Sequence, residues 1–265
     1  MEPTDLKIET GKPEIEDAET GEPGSNALPF FHHPKPLDRD AHRGLKLDRS
    51  KGYGFARTSF SVPLAVLELS MAARHYPIVF SSDEDPTPLA VLGLRPDENL
   101  FVNAVGAWRK NVYIPAHIRR YPFIFMEAAE GNRLILCVDE EAEHLTGGDG
   151  QPLFLDDGPA PLLDEVMNML VAFQNGHHMA RDFGRALQEQ GLLAERRTDV
   201  TLASGETAAI QNFRMINEEK FGELPDTVFL DWRKQGWLPL VYFHLQSMNN
   251  WGSLVDLAVQ EKSHA

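Results

Sequence analysis

Two segments of the chain carry the same arginine–tyrosine–proline pattern, and its chemistry fits the binding of an anion. Residues 74–80 read RHYPIVF and residues 119–125 read RRYPFIF. A guanidinium offers N–H donors in a planar fork that matches a carboxylate or a phosphate, and it also stacks on aromatic rings. The pattern predicts a ligand-binding pocket formed by Arg74, Tyr76, Arg119, Arg120 and Tyr121.

Two further groups of residues are predicted to complete this pocket. Trp108 and His117 lie close to the second segment in sequence. Residues 242–251 read YFHLQSMNNW, which on a helix would give a ligand-binding wall that is both polar and aromatic. The residues predicted to bind ligand from this helix are Tyr242, His244 and Asn249.

The same residues also have a structural interpretation, and the sequence leaves both open. An arginine near the end of a helix can bond the terminal carbonyls, and a polar side chain among core aromatics usually satisfies a buried backbone group. The Tyr-Pro pairs by themselves explain why each segment would stop a helix and then enter a core strand.

An enzymatic alternative rests on the ten histidines of the chain. His117, His177, His178 and His244 are candidate ligands of a metal-dependent, oxygenase-like enzyme, since such iron sites need two histidines and a carboxylate. His178 and Asp182 have a spacing that can hold a metal but more often forms an ion pair. Motifs for a nucleophile elbow, a dinucleotide site, a P-loop and a zinc protease are missing. The sequence therefore assigns no catalytic residue, metal ligand or cofactor.

Charge and hydropathy restrict the partners of the chain. The formal net charge is −15, so we expect neither a nucleic-acid partner nor docking on anionic lipid. No run approaches the roughly eighteen apolar residues of a spanning helix, and the N-terminus lacks the regions of a signal peptide. We therefore expect no membrane insertion, a cytoplasmic location, and a small molecule or another protein as partner. The single cysteine, Cys137, lies in the run LILCV and is expected to be a buried thiol.

The elements that would position the two segments alternate between helix and strand. A helix from Leu64 to Ala73 with Pro63 in its first turn should precede strands at 78–80, 89–94 and 100–102. The second segment should lie between a short helix at 116–120 and a hairpin of strands 123–126 and 134–138, which turns at 130–132.

The C-terminal half predicts a long helix, a hairpin and further helices. The ranges are 162–190 for the long helix, 197–203 and 208–216 for the hairpin with its turn at 204–206, and helices that begin near 226 and 239. The expected fold is α+β, one compact domain with a mixed or antiparallel sheet and a long packing helix. The expected division is a disordered acidic tail at 1–44, the α+β domain at 45–258 and a C-terminal tail at 259–265.

Several stretches in order resemble the bacterial SapC family, which is named after surface-layer gene loci. They are PLAVLELSMAARHYPIVF, AVLGLRPDENLFVNAVGAW, YIPAHIRRYPFIF, IQNFRMINEEKFGELPD and LVYFHLQSMNNW, and the likeness covers roughly Leu45 to Leu257. Members are often labelled peptide-transporter permeases, a label that the missing membrane span contradicts. The resemblance implies a setting beside TonB-dependent receptors and halogenase-like proteins, and it carries over no catalytic residue.

The sequence and the resemblance together predict a soluble, non-catalytic accessory or binding protein. Its ligand would be anionic or aromatic, or its partner another protein. The alternatives are the metal-dependent enzyme described above and a surface-layer structural protein, which would need export. The oligomeric state is left open.

Overall fold

The computed structural model describes residues 30–128, 134–201 and 207–262. The strands in chain order are β1 (Pro34–Pro36), β2 (Lys46–Leu47), β3 (Ser61–Pro63), β4 (Ile78–Ser81), β5 (Pro88–Val91), β6 (Phe123–Glu127), β7 (Leu134–Asp139), β8 (Leu145–Thr146), β9 (Gln151–Pro152), β10 (Phe154–Leu155), β11 (Gly158–Pro159), β12 (Leu193–Thr201) and β13 (Thr207–Ile216). The α-helices are α1 (Arg39–His42), α2 (Leu69–Ala72), α3 (Ala116–Arg119), α4 (Pro161–Glu189), α5 (Glu218–Gly222), α6 (Asp226–Gln235), α7 (Leu238–Ser247) and α8 (Asn250–Lys262).

The chain folds into two units, each built from two separate segments. The first unit takes residues 1–52 and 120–172, and the second takes residues 53–119 and 173–265. The long helix α4 is divided between them at residue 172.

The first unit contains antiparallel strands around an aliphatic core. Its sheets have the strand orders β1-β7-β6 and β8-β2-β9, and β10 pairs with β11. Phe123 and Val138, opposite one another on β6 and β7, are both buried in a cluster with Leu153 and Leu170. Apolar residues at 162, 163, 166 and 170 place one face of α4 on this cluster, which is the periodicity of an amphipathic helix.

The second unit is organised by a five-stranded antiparallel sheet with the order β12-β13-β4-β5-β3. Its central strand β4 is buried along its whole length, and the ring of Phe80 lies 6.0 Å from that of Phe183 on α4. Helix α7 also packs here, because His244 lies 5.3 Å from Phe80 between the ring centroids.

Helix α4 comes unusually close to the loop that joins β4 and β5. An ideal Cβ built on Gly184 would lie 1.7 Å from the carbonyl oxygen of Pro86. On either side of this glycine, Arg181 and Arg185 both form ion pairs with Asp85 of the same loop. The glycine therefore allows a contact that the two arginines hold in place.

The α+β class with antiparallel pairing is confirmed. The long helix, both hairpins and the buried Cys137 are observed where the sequence predicted them. The turns expected at 130–132 and 204–206 lie outside the described residues, as do residues 1–29 of the expected tail and 263–265 at the C-terminus.

Residues 30–44, which were expected in the tail, form part of the first unit. β1 pairs with β7, and Phe30 is buried. The composition of this stretch does not reveal its structure, because the partners of these residues are distant in sequence. The backbone N–H groups of His32 and His33 donate to the carboxylate of Asp139 at 2.9 and 3.0 Å. At the other end, α8 continues through residue 262, beyond the predicted boundary at 258.

Two element predictions were wrong at particular residues. The helix expected from Leu64 is preceded by strand β3, in which Val62 pairs with Ala90, and helical turns begin only at Val66. Of the strand expected at 100–102, Val102 forms a single β-bridge with Trp108, whereas residues 100 and 101 lie in a turn in which the side chain of Asn99 accepts a hydrogen bond from the N–H of Phe101 at 2.9 Å.

Candidate functional site

Apart from Arg119, the second arginine–tyrosine segment lies in the first unit. Arg120 is only 7% exposed, and its guanidinium lies 5.5 Å from the centroid of the Phe31 ring. Tyr121 meets the rings of Phe31 and His144 edge-on at 5.3 and 5.4 Å. Burial lowers the pKa of Arg120 to about 10, although the group still carries its charge near neutral pH. These residues form an aromatic cluster around a buried cation.

Asp139, which the sequence analysis did not single out, anchors this cluster. It is fully buried and accepts hydrogen bonds from the N–H groups of His32 and His33, while the Tyr121 hydroxyl lies 3.5 Å from its Oδ2. Burial, followed by the charge of Asp139, raises the pKa of Tyr121. In the sequence, Asp139 is the first of three consecutive acidic residues after an apolar strand, and this pattern does not reveal such distant partners.

The first segment is also used for packing, in the second unit. Tyr76 is fully buried, and its hydroxyl donates to the backbone carbonyl of Tyr113. Its ring contacts Phe101 at 4.7 Å, and Phe101 in turn stacks on Trp108 at 6.3 Å. Phe101 therefore lies between the predicted site residues Tyr76 and Trp108. Arg74, two residues earlier, is exposed.

Glu68 is a second buried carboxylate that the sequence analysis did not identify. Its Oε1 accepts from the Tyr113 hydroxyl at 2.8 Å and from the N–H of Ala116 at 2.5 Å, and its Oε2 accepts from the N–H of Ala65 at 2.9 Å. Burial and then Glu68 itself raise the pKa of Tyr113 to about 12. Arg119 lies on the exposed side of this group, and its Nη2 donates to the Tyr113 hydroxyl at 3.2 Å.

The four histidines proposed as metal ligands lie in three different surroundings. His117 and His177 each lie 5.9 Å from the ring of Phe173 between centroids, whereas the ring of His178 contacts Gln174. His244 contacts the ring of Phe80. Among the described residues, no group of three or more histidine, cysteine, aspartate or glutamate side chains is arranged to hold a metal ion.

Helix α7 directs its predicted site residues to different surroundings. His244 is fully buried, and its Nε2 accepts a hydrogen bond from the N–H of Ile216 at 3.1 Å. Ser247, one turn later, accepts from the N–H of Ile78 at 3.0 Å. Tyr242 is 54% exposed beside the ring of Phe221. Asn249, which was predicted on the same helix, is exposed in the turn that follows α7. The helix therefore uses His244 to satisfy strand backbone, as the structural interpretation expected.

The burial of His244 gives a testable dependence of stability on pH. Burial lowers its pKa to about 4, below the ordinary value of 6.5. The unfolded chain then binds a proton between these values while the folded chain does not, so this contribution is present above pH 6.5 and is lost as the pH falls towards 4. We expect the free energy of unfolding to fall by about 2 kcal/mol more between pH 6.5 and 4.5 in the native chain than in His244→Gln. Urea titrations at both values measure this, and equal losses in the two proteins would contradict it.

A recess in the second unit was not predicted from the sequence. Its volume is about 360 Å³, and it lies between the end of α4 and helix α6. Residues that line it include Ala186, Glu189, Val228, Asp231, Trp232 and Trp237. We call this feature the tryptophan recess.

The structure thus distributes the ten predicted ligand-binding residues in two ways. Arg120 and Tyr121 belong to the first unit and the other eight to the second. Five of the ten are buried, one is half-buried and four are exposed. The buried residues are Tyr76, Trp108, His117, Arg120 and His244, the half-buried one is Tyr121, and the exposed ones are Arg74, Arg119, Tyr242 and Asn249. The exposed group is the part of the prediction that remains available to a ligand.

Comparison with known proteins identifies the family. The SapC family model matches residues 37–254, which is well over half of the chain, so the chain belongs to the SapC family. No curated protein and no solved structure matches it. Within the described ranges, no helix is both long enough and apolar enough to cross a membrane.

Proposed function

We propose that this SapC-family protein is a non-catalytic accessory protein that binds a small-molecule ligand or a partner protein. The observation that carries the proposal is the burial of two of the four candidate histidines, while His177 is half-buried and His178 is exposed. His117 and His244 are buried, and the Nε2 lone pair of His244 is occupied by a backbone N–H. A general base must reach the proton that it removes, and a lone pair already engaged in the core is not available for that role.

The exposed members of the predicted site form the proposed binding surface. Arg119 is exposed and lies over the Tyr113 ring, with its guanidinium 5.7 Å from the ring centroid. Such a cation beside an aromatic ring suits a carboxylate or phosphate, or an aromatic anion. We propose that a ligand too large for Arg119 alone also contacts Arg74, Tyr242 and Asn249.

The family suggests a setting for this role. The resemblance implies genes for TonB-dependent receptors and halogenase-like proteins nearby, so we propose that the protein assists the uptake or modification of a ligand. We further propose that it acts in the cytoplasm and binds no nucleic acid, in keeping with the net charge of −15.

Native mass spectrometry with elemental analysis tests the proposal on protein purified from its own host. We expect a chain that carries a small molecule or a second protein, without one metal ion per chain. Stoichiometric metal together with turnover of the bound molecule would contradict a non-catalytic role.

The binding surface itself is tested by Arg119→Ala. We expect the affinity for the co-purified ligand to fall about tenfold, because a charge-assisted hydrogen bond to the ligand contributes about 1.5 kcal/mol or more. Stability should change by less than about 1 kcal/mol, since the side chain is exposed. Arg109→Ala, which removes another exposed arginine of the same unit, is the matched control. Equal affinity of the native chain and Arg119→Ala in calorimetric titrations would show that the surface lies elsewhere.

A further inference from the structure

The tryptophan recess has an aromatic floor and an acidic rim. Trp232 is 3% exposed at its base, and the ring of Trp237 meets it edge-on at 5.7 Å. Phe183 supports both indoles from below, with ring distances of 6.4 and 6.2 Å. Glu189 and Asp231 stand exposed at the opening. The floor is therefore apolar, while the charged groups lie at the solvent-exposed rim.

Among the described residues, the charge of the recess has no partner. No lysine or arginine of these ranges lines the recess, and neither Glu189 nor Asp231 forms an ion pair there. Asp231 accepts a hydrogen bond from the amide of Gln235 at 2.5 Å, which fixes one carboxylate oxygen and leaves the other available. Two carboxylates beside the half-buried indole of Trp237 attract an organic cation, because the face of an indole is itself negative.

We propose that the tryptophan recess binds an arginine side chain of a protein partner. A guanidinium stacks on an indole and bonds carboxylates through its planar fork, so it uses both features of the recess together. A lysine ammonium is a compact, strongly hydrated charge that gains less from the indoles.

The openness of the recess favours a side chain over a free small molecule. Small-molecule sites enclose most of the ligand surface, and about 360 Å³ is at the lower end of their range. Gln190, Thr227 and Gln235 are exposed around the opening, so that a ligand would keep one side in solvent. An arginine anchored on a partner surface loses little by this, and arginine is among the residues that dominate protein interfaces.

The chain's own undescribed ends are poor occupants. Residues 1–29 contain no arginine and carry more acidic than basic residues, and residues 263–265 read SHA. Charge repulsion by Glu189 and Asp231 would oppose the first of these segments. The arginine is therefore supplied by a second protein molecule.

A titration with the capped peptide acetyl-Gly-Arg-Gly-amide tests the proposal. The chain has four tryptophans, so its indole N–H signals in nitrogen–proton NMR spectra can be assigned with single Trp→Phe variants. We expect saturable shifts of the Trp232 and Trp237 signals, with a Kd on the order of millimolar and weaker binding at high salt. The signals of Trp108 and Trp251 should stay in place.

Two comparisons make the result decisive. The citrulline peptide, which is nearly isosteric but neutral, should not bind, and the lysine peptide should bind more weakly. Asp231→Asn and Glu189→Gln should each raise the Kd up to about fivefold, whereas Asp256→Asn, an exposed carboxylate on α8, should not change it. Equal binding of the citrulline or lysine peptide, or unchanged affinity in both recess variants, would overturn the assignment.

This inference is independent of the proposed surface around Arg119. The peptide titration reports only on the tryptophan recess, whereas native mass spectrometry and Arg119→Ala report on the accessory role. The peptide could fail to bind while the affinity for a co-purified ligand still depends on Arg119. That result would contradict the recess assignment and leave the proposed function in place.

Discussion

Gly184→Ala is expected to lower the free energy of unfolding by about 3 kcal/mol. The ideal position of the new methyl carbon is 1.7 Å from the carbonyl oxygen of Pro86, far inside the contact distance of these atoms. The obstacle is backbone, so no side-chain rotation relieves it, and α4 must move away from the β4–β5 loop. That movement would pull Arg181 and Arg185 from Asp85.

Gly252→Ala provides the matched control. Gly252 lies in helix α8, and a Cβ built on it would meet nothing within 4 Å. Alanine is the better helix former, so this variant should be unchanged or stabilised by up to about 1 kcal/mol. Urea denaturation followed by circular dichroism measures both. A cost below about 1 kcal/mol for Gly184→Ala would show that the helix and loop adapt without loss.

The sequence predicted those elements whose cause is local. Helix α4 has a long apolar periodicity, and Gly191 just after it has the positive φ of 63° that glycine tolerates. The β12–β13 hairpin followed from alternating residues around a glycine turn. In contrast, the backbone of residues 61–64 pairs with β5, and no local pattern reveals that pairing.

The candidate site was less predictable because burial is decided by tertiary packing. Tyr242 and His244 are two residues apart, yet one is 54% exposed and the other has no exposure. Their helix carries apolar residues on much of its surface, so the sequence gives a weak indication of the inward face. The tryptophan recess likewise joins α4 to α6, whose separation in sequence hides their contact.

The two Tyr-Pro pairs now have a shared explanation. Tyr76 donates to a backbone carbonyl and Tyr121 lies against the buried carboxylate of Asp139, while the strand after each proline pairs in a sheet. The strands belong to different sheets, so the repeated sequence pattern corresponds to the same local arrangement formed twice, in two separate places. Tyrosine in each case brings a large ring into the core and provides its hydroxyl with a partner.

Glu68→Ala is expected to lower the free energy of unfolding by about 4 kcal/mol. The change leaves three donors without their acceptor: the N–H groups of Ala65 and Ala116, and the hydroxyl of Tyr113. Glu68 is buried, so water replaces it poorly at the two backbone groups. Arg119, held against Tyr113, should become more mobile as a result.

Glu68→Gln separates shape from hydrogen bonding. The amide keeps one acceptor oxygen, and its N–H₂ group then faces a backbone N–H group, that of Ala65 or Ala116. Where the N–H₂ group takes the place of Oε1, the Tyr113 hydroxyl can rotate to accept from it. We therefore expect about half the loss seen for alanine, and a Glu261→Ala control at the exposed end of α8 should lose almost nothing. Chemical denaturation of the three variants under identical conditions gives the order. If alanine and glutamine at position 68 cost the same, the loss comes from the missing charge, and the individual donors contribute little.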